Sequence, residues 1–186
     1  MKKIACSAAL AAVVIGCFLT GGYSLSVGGK ELVLNGTGAR SIFLLGSVYY
    51  AYLYVPESLK GSGGTEILEA DQPMSVILLI DSGLLTREKF NKAIREGFEK
   101  AAGSGYATDQ AEAFLALFGD MEIKKGDYVY LNYDPASGLA ASHQPAGGAA
   151  KYYGAIPGLA FKKALFAIWL GPNPAQESCK AGMLGQ

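Results

Sequence analysis

Arg40 and Tyr49 are the two residues of this chain whose types and spacing best suggest chemistry, and both lie in the stretch ELVLNGTGARSIFLLGSVYYAYLYVP, residues 31–56. A guanidinium offers a fixed fork of N–H donors that matches a carboxylate or phenolate, and a phenol can add one donor more. Arg40 follows Gly36-Thr37-Gly38-Ala39 and precedes the apolar run Ile42 to Leu45; from Ser47 to Val55 the chain is rich in tyrosine and valine and reads as a strand. A turn near Gly46-Ser47 would set Arg40 and Tyr49 on neighbouring strands of one hairpin, an anion-binding pair on an apolar sheet. Taken by residue type alone, an arginine in a strand is more often a surface or ion-pair residue and a tyrosine is usually packing.

Other chemistries find less support. There is no Ser-His-Asp ordering, nucleophile elbow or phosphate loop. Gly36-x-Gly38 lacks the third glycine and the following helix of a dinucleotide loop, so no cofactor is expected, and these glycines are read as a bend beside Arg40. Asn35-Gly36-Thr37 fits a glycosylation sequon but reads more simply as a turn. The single histidine, His143, has no cysteine or carboxylate at ligand spacing and is expected in an exposed loop, so no metal site is expected. Cys179 has no histidine near it in sequence and reads as a small buried hydrophobe.

The elements that must position the pair follow from periodicity. Leu25–Val27 and Leu32–Leu34 are short alternating runs about Gly28-Gly29-Lys30, a hairpin signal. Residues 56–66, PESLKGSGGTE, read as a flexible connector. Met74–Ile80 is a continuous apolar run suited to a central strand buried on both faces. Thr86 can cap a helix with Phe90, Ala93, Ile94, Phe98 and Ala101 on one face. Gly103-Ser104-Gly105 stops it, and a second helix from Asp109 turns Ala111, Phe114, Leu115 and Phe118 inward. Ile123–Tyr133 alternates as a strand, Asp134–Gly138 has turn composition, and Lys151–Ile156 is a further strand. Pro157-Gly158 opens the helix LAFKKALFAIWL, closed by Gly171-Pro172, and Asn173-Pro174 caps a last one towards Met183. Seven or eight short strands with helices in the middle and at the end describe an α+β domain with an antiparallel sheet.

With 186 residues, 51% of them hydrophobic, the chain suits one domain. The first stretch, with Lys2, Lys3 and an apolar run from Ile4 to Ile15, reads as a signal peptide over residues 1–22, leaving a domain at 23–186. Val14-Ile15-Gly16-Cys17 also resembles a lipobox, in which Cys17 would be acylated, and both readings of the cleavage stay open. The expected location is outside the cytoplasm, in the periplasm, with possible attachment to the membrane through Cys17. Without the two leader lysines, 14 basic residues face 16 acidic ones, and no basic stripe suits a nucleic acid.

The segments GTGARSIFLLGSVYYAYLYVP, SGLLTREKFNKAIREGFEK and IPGLAFKKALFAIWLGPNPAQESCKAGMLG together resemble the chalcone isomerase-like family, and in particular its exported bacterial branch. The resemblance implies an open-faced β-sandwich: a large antiparallel sheet covered on one side by helices, with a ligand cleft between. In the family's plant enzymes an arginine after a glycine-rich turn holds the anionic oxygen of the chalcone, and Arg40 matches it. Tyr49 stands where a carbonyl-polarising threonine is found on the next strand. Phe90 and Gly97 stand for a tyrosine and an asparagine of the first helix, and Ile168 for a threonine or serine near the end, with Trp169 beside it. The arginine is kept and the polar network is not. Cyclisation needs donors for the phenolate and the developing enolate, and Phe90, Gly97 and Ile168 supply none. Members of the family that bind fatty acids pair the arginine with a tyrosine. The resemblance therefore implies a non-catalytic binder of a fatty acid or similar amphipathic carboxylate, held by Arg40 and Tyr49 with Phe90, Ile94, Gly97 and Ile168 along the cleft. An isomerase of the intramolecular lyase type, or a partner-binding protein with a vestigial cleft, stays open beside it.

Overall fold

The structure is a computed structural model and describes residues 25–44, 46–119 and 121–186. The leader, Cys17 and the lipobox lie outside the described residues. Seven strands pair in chain order, each antiparallel to the last: β1 Leu25–Val27, β2 Lys30–Ile42, β3 Gly46–Val55, β4 Met74–Ile80, β5 Tyr128–Asp134, β6 Gly138–Gln144 and β7 Lys151–Ile156. Five helices accompany them: α1 Gly64–Glu69, α2 Arg87–Gly103, α3 Ala111–Leu117, α4 Leu159–Leu170 and α5 Glu177–Met183. This is the α+β, open-faced arrangement expected, a curled antiparallel sheet with helices on one face.

Alternation divides the sheet into two faces. Ala51, Leu53 and Val55 of β3, Val76 and Leu78 of β4, and Val129, Leu131 and Tyr133 of β5 join the main core with the helices. Tyr54, Ile77 and Tyr130 point the other way, where the β1 hairpin residues Leu25, Val27 and Leu32 complete a smaller cluster with the half-buried Leu34, Tyr52 and Tyr128 against it. β4 lies at the middle of the sheet and is buried along nearly its whole length, as its unbroken apolar run predicts. Thr86 caps α2 by accepting from the Lys89 amide, and Phe90, Ile94, Phe98 and Ala101 fall on its buried face. Helix α4 spans the predicted residues to the letter, because it is apolar on nearly every side and bounded by glycines.

Several expectations need correction. The β2–β3 turn falls on Phe43 and Leu44 rather than on Gly46-Ser47, and Leu44 adopts φ 65° there. Asn35-Gly36-Thr37 is no turn: β2 runs straight through with a register shift between Leu34 and Gly36. The Asn35 amide instead donates to the Met183 carbonyl (2.9 Å) and accepts from the Gly61 amide (2.8 Å). Residues 56–66 are not a flexible connector but a 3-10 turn and the start of α1. The strand expected from Ile123 begins at Tyr128, and the last helix begins at Glu177, three residues beyond Pro174. His143 is not an exposed loop residue. It sits on β6, 5% exposed, with Nε2 2.8 Å from the Asp127 carboxylate. Burial works to raise the Asp127 carboxyl, but bonds from His143 and from the amides of Ala146 and Lys124 outweigh it and hold it below the usual carboxylate range.

One buried group was not foreseen. Lys162 of α4 is fully buried, and its ammonium donates to the carbonyls of Ile67 (2.7 Å), Leu68 (2.9 Å) and Ala70 (3.0 Å). Those are the orphan acceptors at the C-terminal end of α1, so the lysine caps one helix from another. Burial pulls its pKa down to about 7.

Candidate functional site

The row of β2 residues that faces the helices reads Gly36, Gly38, Arg40. A Cβ at Gly36 would stand 2.3 Å from the Gly182 carbonyl oxygen, and one at Gly38 would stand 1.9 Å from that of Cys179. Both glycines are bare so that α5 can lie directly on the strand. They do not bend the chain beside the arginine. The third position of the row has passed the start of α5, so a long side chain fits there, and Arg40 donates through Nη1 to the Ala175 carbonyl just before that helix. A second register shift, between Arg40 and Ser41, follows at once; irregularities of this kind re-aim a side chain at a strand end.

Arg40 and Tyr49 are direct cross-strand partners in the β2–β3 ladder and therefore share a face. The hairpin relation expected from the sequence is present although its turn lies elsewhere. The Tyr49 oxygen accepts from Nε1 of Trp169 at 2.9 Å, which uses a lone pair and leaves the phenol's own hydrogen to donate. That hydrogen has no acceptor among the described residues. Burial pushes the Tyr49 pKa up to about 12, against smaller lowering contributions from the Trp169 bond and the Arg40 charge, so the group is a neutral donor at physiological pH.

A cavity of about 300 Å³ opens between sheet and helices beside this pair. Arg40 and Tyr49 form one part of its wall with Ala175 and Trp169. Leu78, Phe90, Ile94, Gly97 and Ile168 form its apolar depth, and Ile42, Ser82, Leu84 and Lys89 are among the remaining wall residues. The six residues singled out from the sequence, Arg40, Tyr49, Phe90, Ile94, Gly97 and Ile168, thus line one cavity. The volume lies at the lower end of the ~300 to 1,000 Å³ typical of small-molecule sites. Gly97 and Ile168 are a matched pair. A Cβ on Gly97 would come within 2.7 Å of Ile168 Cγ2, so the missing side chain of one makes room for the branch of the other. Phe90 packs edge-on against Phe118, with centroids 5.9 Å apart.

Chemically, the site combines a cation with an apolar chamber. Arg40 makes no ion pair among the described residues, and its only recorded protein bond is to a backbone carbonyl, so most of its fork is unclaimed. Two contributors were missed in sequence: Ala175, which shares the guanidinium, and Trp169, which orients the phenol. The second had a signal, because a buried indole N–H needs an acceptor. No group of three or more metal-binding side chains occurs among the described residues.

A meander sheet with helices over one face, and an arginine-bearing cleft between the two layers, defines an open-faced sandwich of the chalcone isomerase kind. The family model described as chalcone isomerase-like matches residues 21–185, and the chain belongs to that family. Among solved structures it is similar to a fatty-acid binding protein of Arabidopsis thaliana, with 23% identity, a TM-score of 0.59, and coverage of 86% of this chain and 89% of that one. At that identity the likeness is one of fold. No curated protein matches the chain.

Proposed function

We propose that this protein is a non-catalytic carrier of a fatty acid or a similar amphipathic carboxylate. The observation that carries the reading is Arg40: a cation with no carboxylate partner among the described residues, at the wall of an apolar cavity, beside a phenol with an uncommitted hydrogen. A carboxylate would take the open side of the guanidinium fork and the Tyr49 hydroxyl, while its tail is desolvated along Phe90, Ile94 and Ile168. The solved relative, by its title a fatty-acid binding protein, supports the same reading. Catalysis of chalcone cyclisation is disfavoured by the cavity's makeup, since Phe90, Gly97 and Ile168 give a developing enolate no donor. Calorimetric titration of delipidated protein with a saturated fatty acid and with its methyl ester tests the proposal. The acid should bind and the ester should bind at least about tenfold more weakly; equal binding would remove Arg40 as the anchor.

Our reading of residues 1–22 is export in a bacterial cell, with the mature protein in the periplasm, either cut free of its leader or acylated at Cys17, as in an exported branch of the family. The paired lysines and the apolar run that follows support it. Metabolic labelling with palmitate decides between the two: label on the wild type and not on Cys17→Ser establishes the anchor, and absence of label from both excludes it.

A further inference from the structure

Exposed large apolar side chains are few in this fold and are not scattered. Five are recorded among the described residues, and four of them, Ile42, Phe43, Leu44 and Leu84, belong to two segments at the cavity. Ile42 (46% exposed) and Leu84 (58%) line it directly, and Phe43 and Leu44, each 89% exposed, continue from Ile42 as the tip of the β2–β3 hairpin. Single exposed hydrophobics need no explanation, but a contiguous group at the edge of a binding cavity does.

The backbone adds a second observation. Leu44 is the one non-glycine residue with positive φ among the described residues. Turns that need this conformation ordinarily use glycine or asparagine, which adopt it at little cost. A leucine there is unfavourable for the turn and favourable only for what its side chain meets.

We propose that the hairpin tip Phe43-Leu44, with Ile42 and Leu84, is a wedge that inserts into the surface of a lipid bilayer and brings the cavity against the lipid from which its ligand is drawn. The proposal rests on the fatty-acid reading for its purpose, though the wedge itself is tested separately. A bilayer fits better than a protein partner for three reasons. Phe43 and Leu44 offer only two fully projecting apolar side chains, whereas a stable protein interface needs on the order of 1,000 Å² with complementary shape. Shallow insertion into the headgroup and acyl boundary asks only for a few projecting apolar side chains. Exposed lysines among the cavity residues, Lys89 and Lys100, outnumber the single exposed acid, Glu96, and suit anionic headgroups. Lys89 is held toward the tip's neighbour, since its ammonium donates to the Leu84 carbonyl at 2.9 Å.

The test uses the chain from residue 23, without the apolar leader that our reading removes on export and without Cys17, so that neither leader nor acyl group contributes, and vesicles of phosphatidylethanolamine and phosphatidylglycerol. Wild-type tip and the double variant Phe43→Ser, Leu44→Asn are compared; asparagine tolerates the turn's backbone, so folding is not challenged. Three quantities are measured: partition onto vesicles, affinity for dissolved fatty acid, and the rate of fatty-acid transfer from loaded vesicles as vesicle concentration rises. The variant should lose at least about tenfold in partition and in transfer rate while its affinity for the dissolved acid stays within about twofold. Equal partition of both proteins, or none by the wild-type tip, would overturn the wedge. Tip-dependent partition together with no binding of dissolved acid would support the membrane contact and sink the fatty-acid reading instead.

Discussion

Lys162 and Arg40 are both without a carboxylate partner within ion-pair reach among the described residues, and they could hardly be housed more differently. Lys162 is fully buried and spends its three N–H donors on three carbonyls at the end of α1. Arg40 is half-buried, spends one donor on the Ala175 carbonyl and turns towards a cavity. Beyond their burial, the inventory of donors separates them: Lys162, each of whose donors meets a protein acceptor, is part of the frame, and Arg40, most of whose donors are unmatched beside an apolar chamber, is the cation we propose as an anchor.

The sharpest way to break this comparison is to remove each cation and measure both stability and binding. Lys162→Met keeps the apolar stem but strips three buried carbonyls of their donor, and should cost about 3 kcal/mol in urea unfolding, with ligand affinity of the folded fraction unchanged. A methionine variant as stable as the wild type would mean that those carbonyls find other partners. The same lysine gives the comparison a pH axis. Its folded pKa of about 7 lies below the unfolded value of 10.5, so across that window the unfolded chain holds a proton that the folded one has released. Stability of the wild type relative to Lys162→Met should therefore rise with pH from about 7 towards 10. A falling or flat difference would contradict the direction of the shift.

Arg40→Ala should do the reverse: affinity for a fatty acid falls by more than about tenfold, from a loss of about 2 to 5 kcal/mol, while stability changes by no more than about 1.5 kcal/mol. Arg40→Lys should recover only part of the affinity, because an ammonium keeps the charge without the fork. Gly97→Ala pushes a methyl group against Ile168 and should cost about 1 to 3 kcal/mol of stability, partly relieved when Ile168→Ala is added, which removes both γ carbons and the δ carbon it meets. The smallest expected effect is Tyr49→Phe, which removes one neutral donor and should weaken binding by about 0.5 to 1.5 kcal/mol. If Tyr49→Phe cost as much as Arg40→Ala, the phenol and not the guanidinium would be the anchor.

Much of this frame was legible in the sequence, and several of the features that were not share a cause. β4, α2 and α4 were readable because their apolar patterns are long and bounded by strong stop signals. The Arg40–Tyr49 pairing was readable although its turn was not, since Phe43 and Leu44 are apolar where a turn is expected to be polar. Several of the remaining misses involve partners supplied by another segment. Gly36 and Gly38 look like hinge residues until α5, more than 140 positions later, is laid on them. His143 looks like a loop residue until Asp127 is set beside it, and Lys162 looks like one of two surface lysines on a helix until the end of α1 is found beneath it. Local composition cannot report an acceptor that another segment supplies.

The bond between Arg40 and Ala175 also bears on how the molecule comes into being. Each strand of the meander pairs with the one made just before it, so the sheet can assemble hairpin by hairpin as the polypeptide lengthens. The cavity wall at Arg40 cannot be built that way, because its second half, Ala175, lies 135 residues further along the chain and emerges after the whole meander. An unfinished polypeptide can therefore own a largely paired sheet and still have no closed chamber. The chamber at Arg40 is closed only when the segment bearing Ala175 and α5 docks along the bare glycine row of β2.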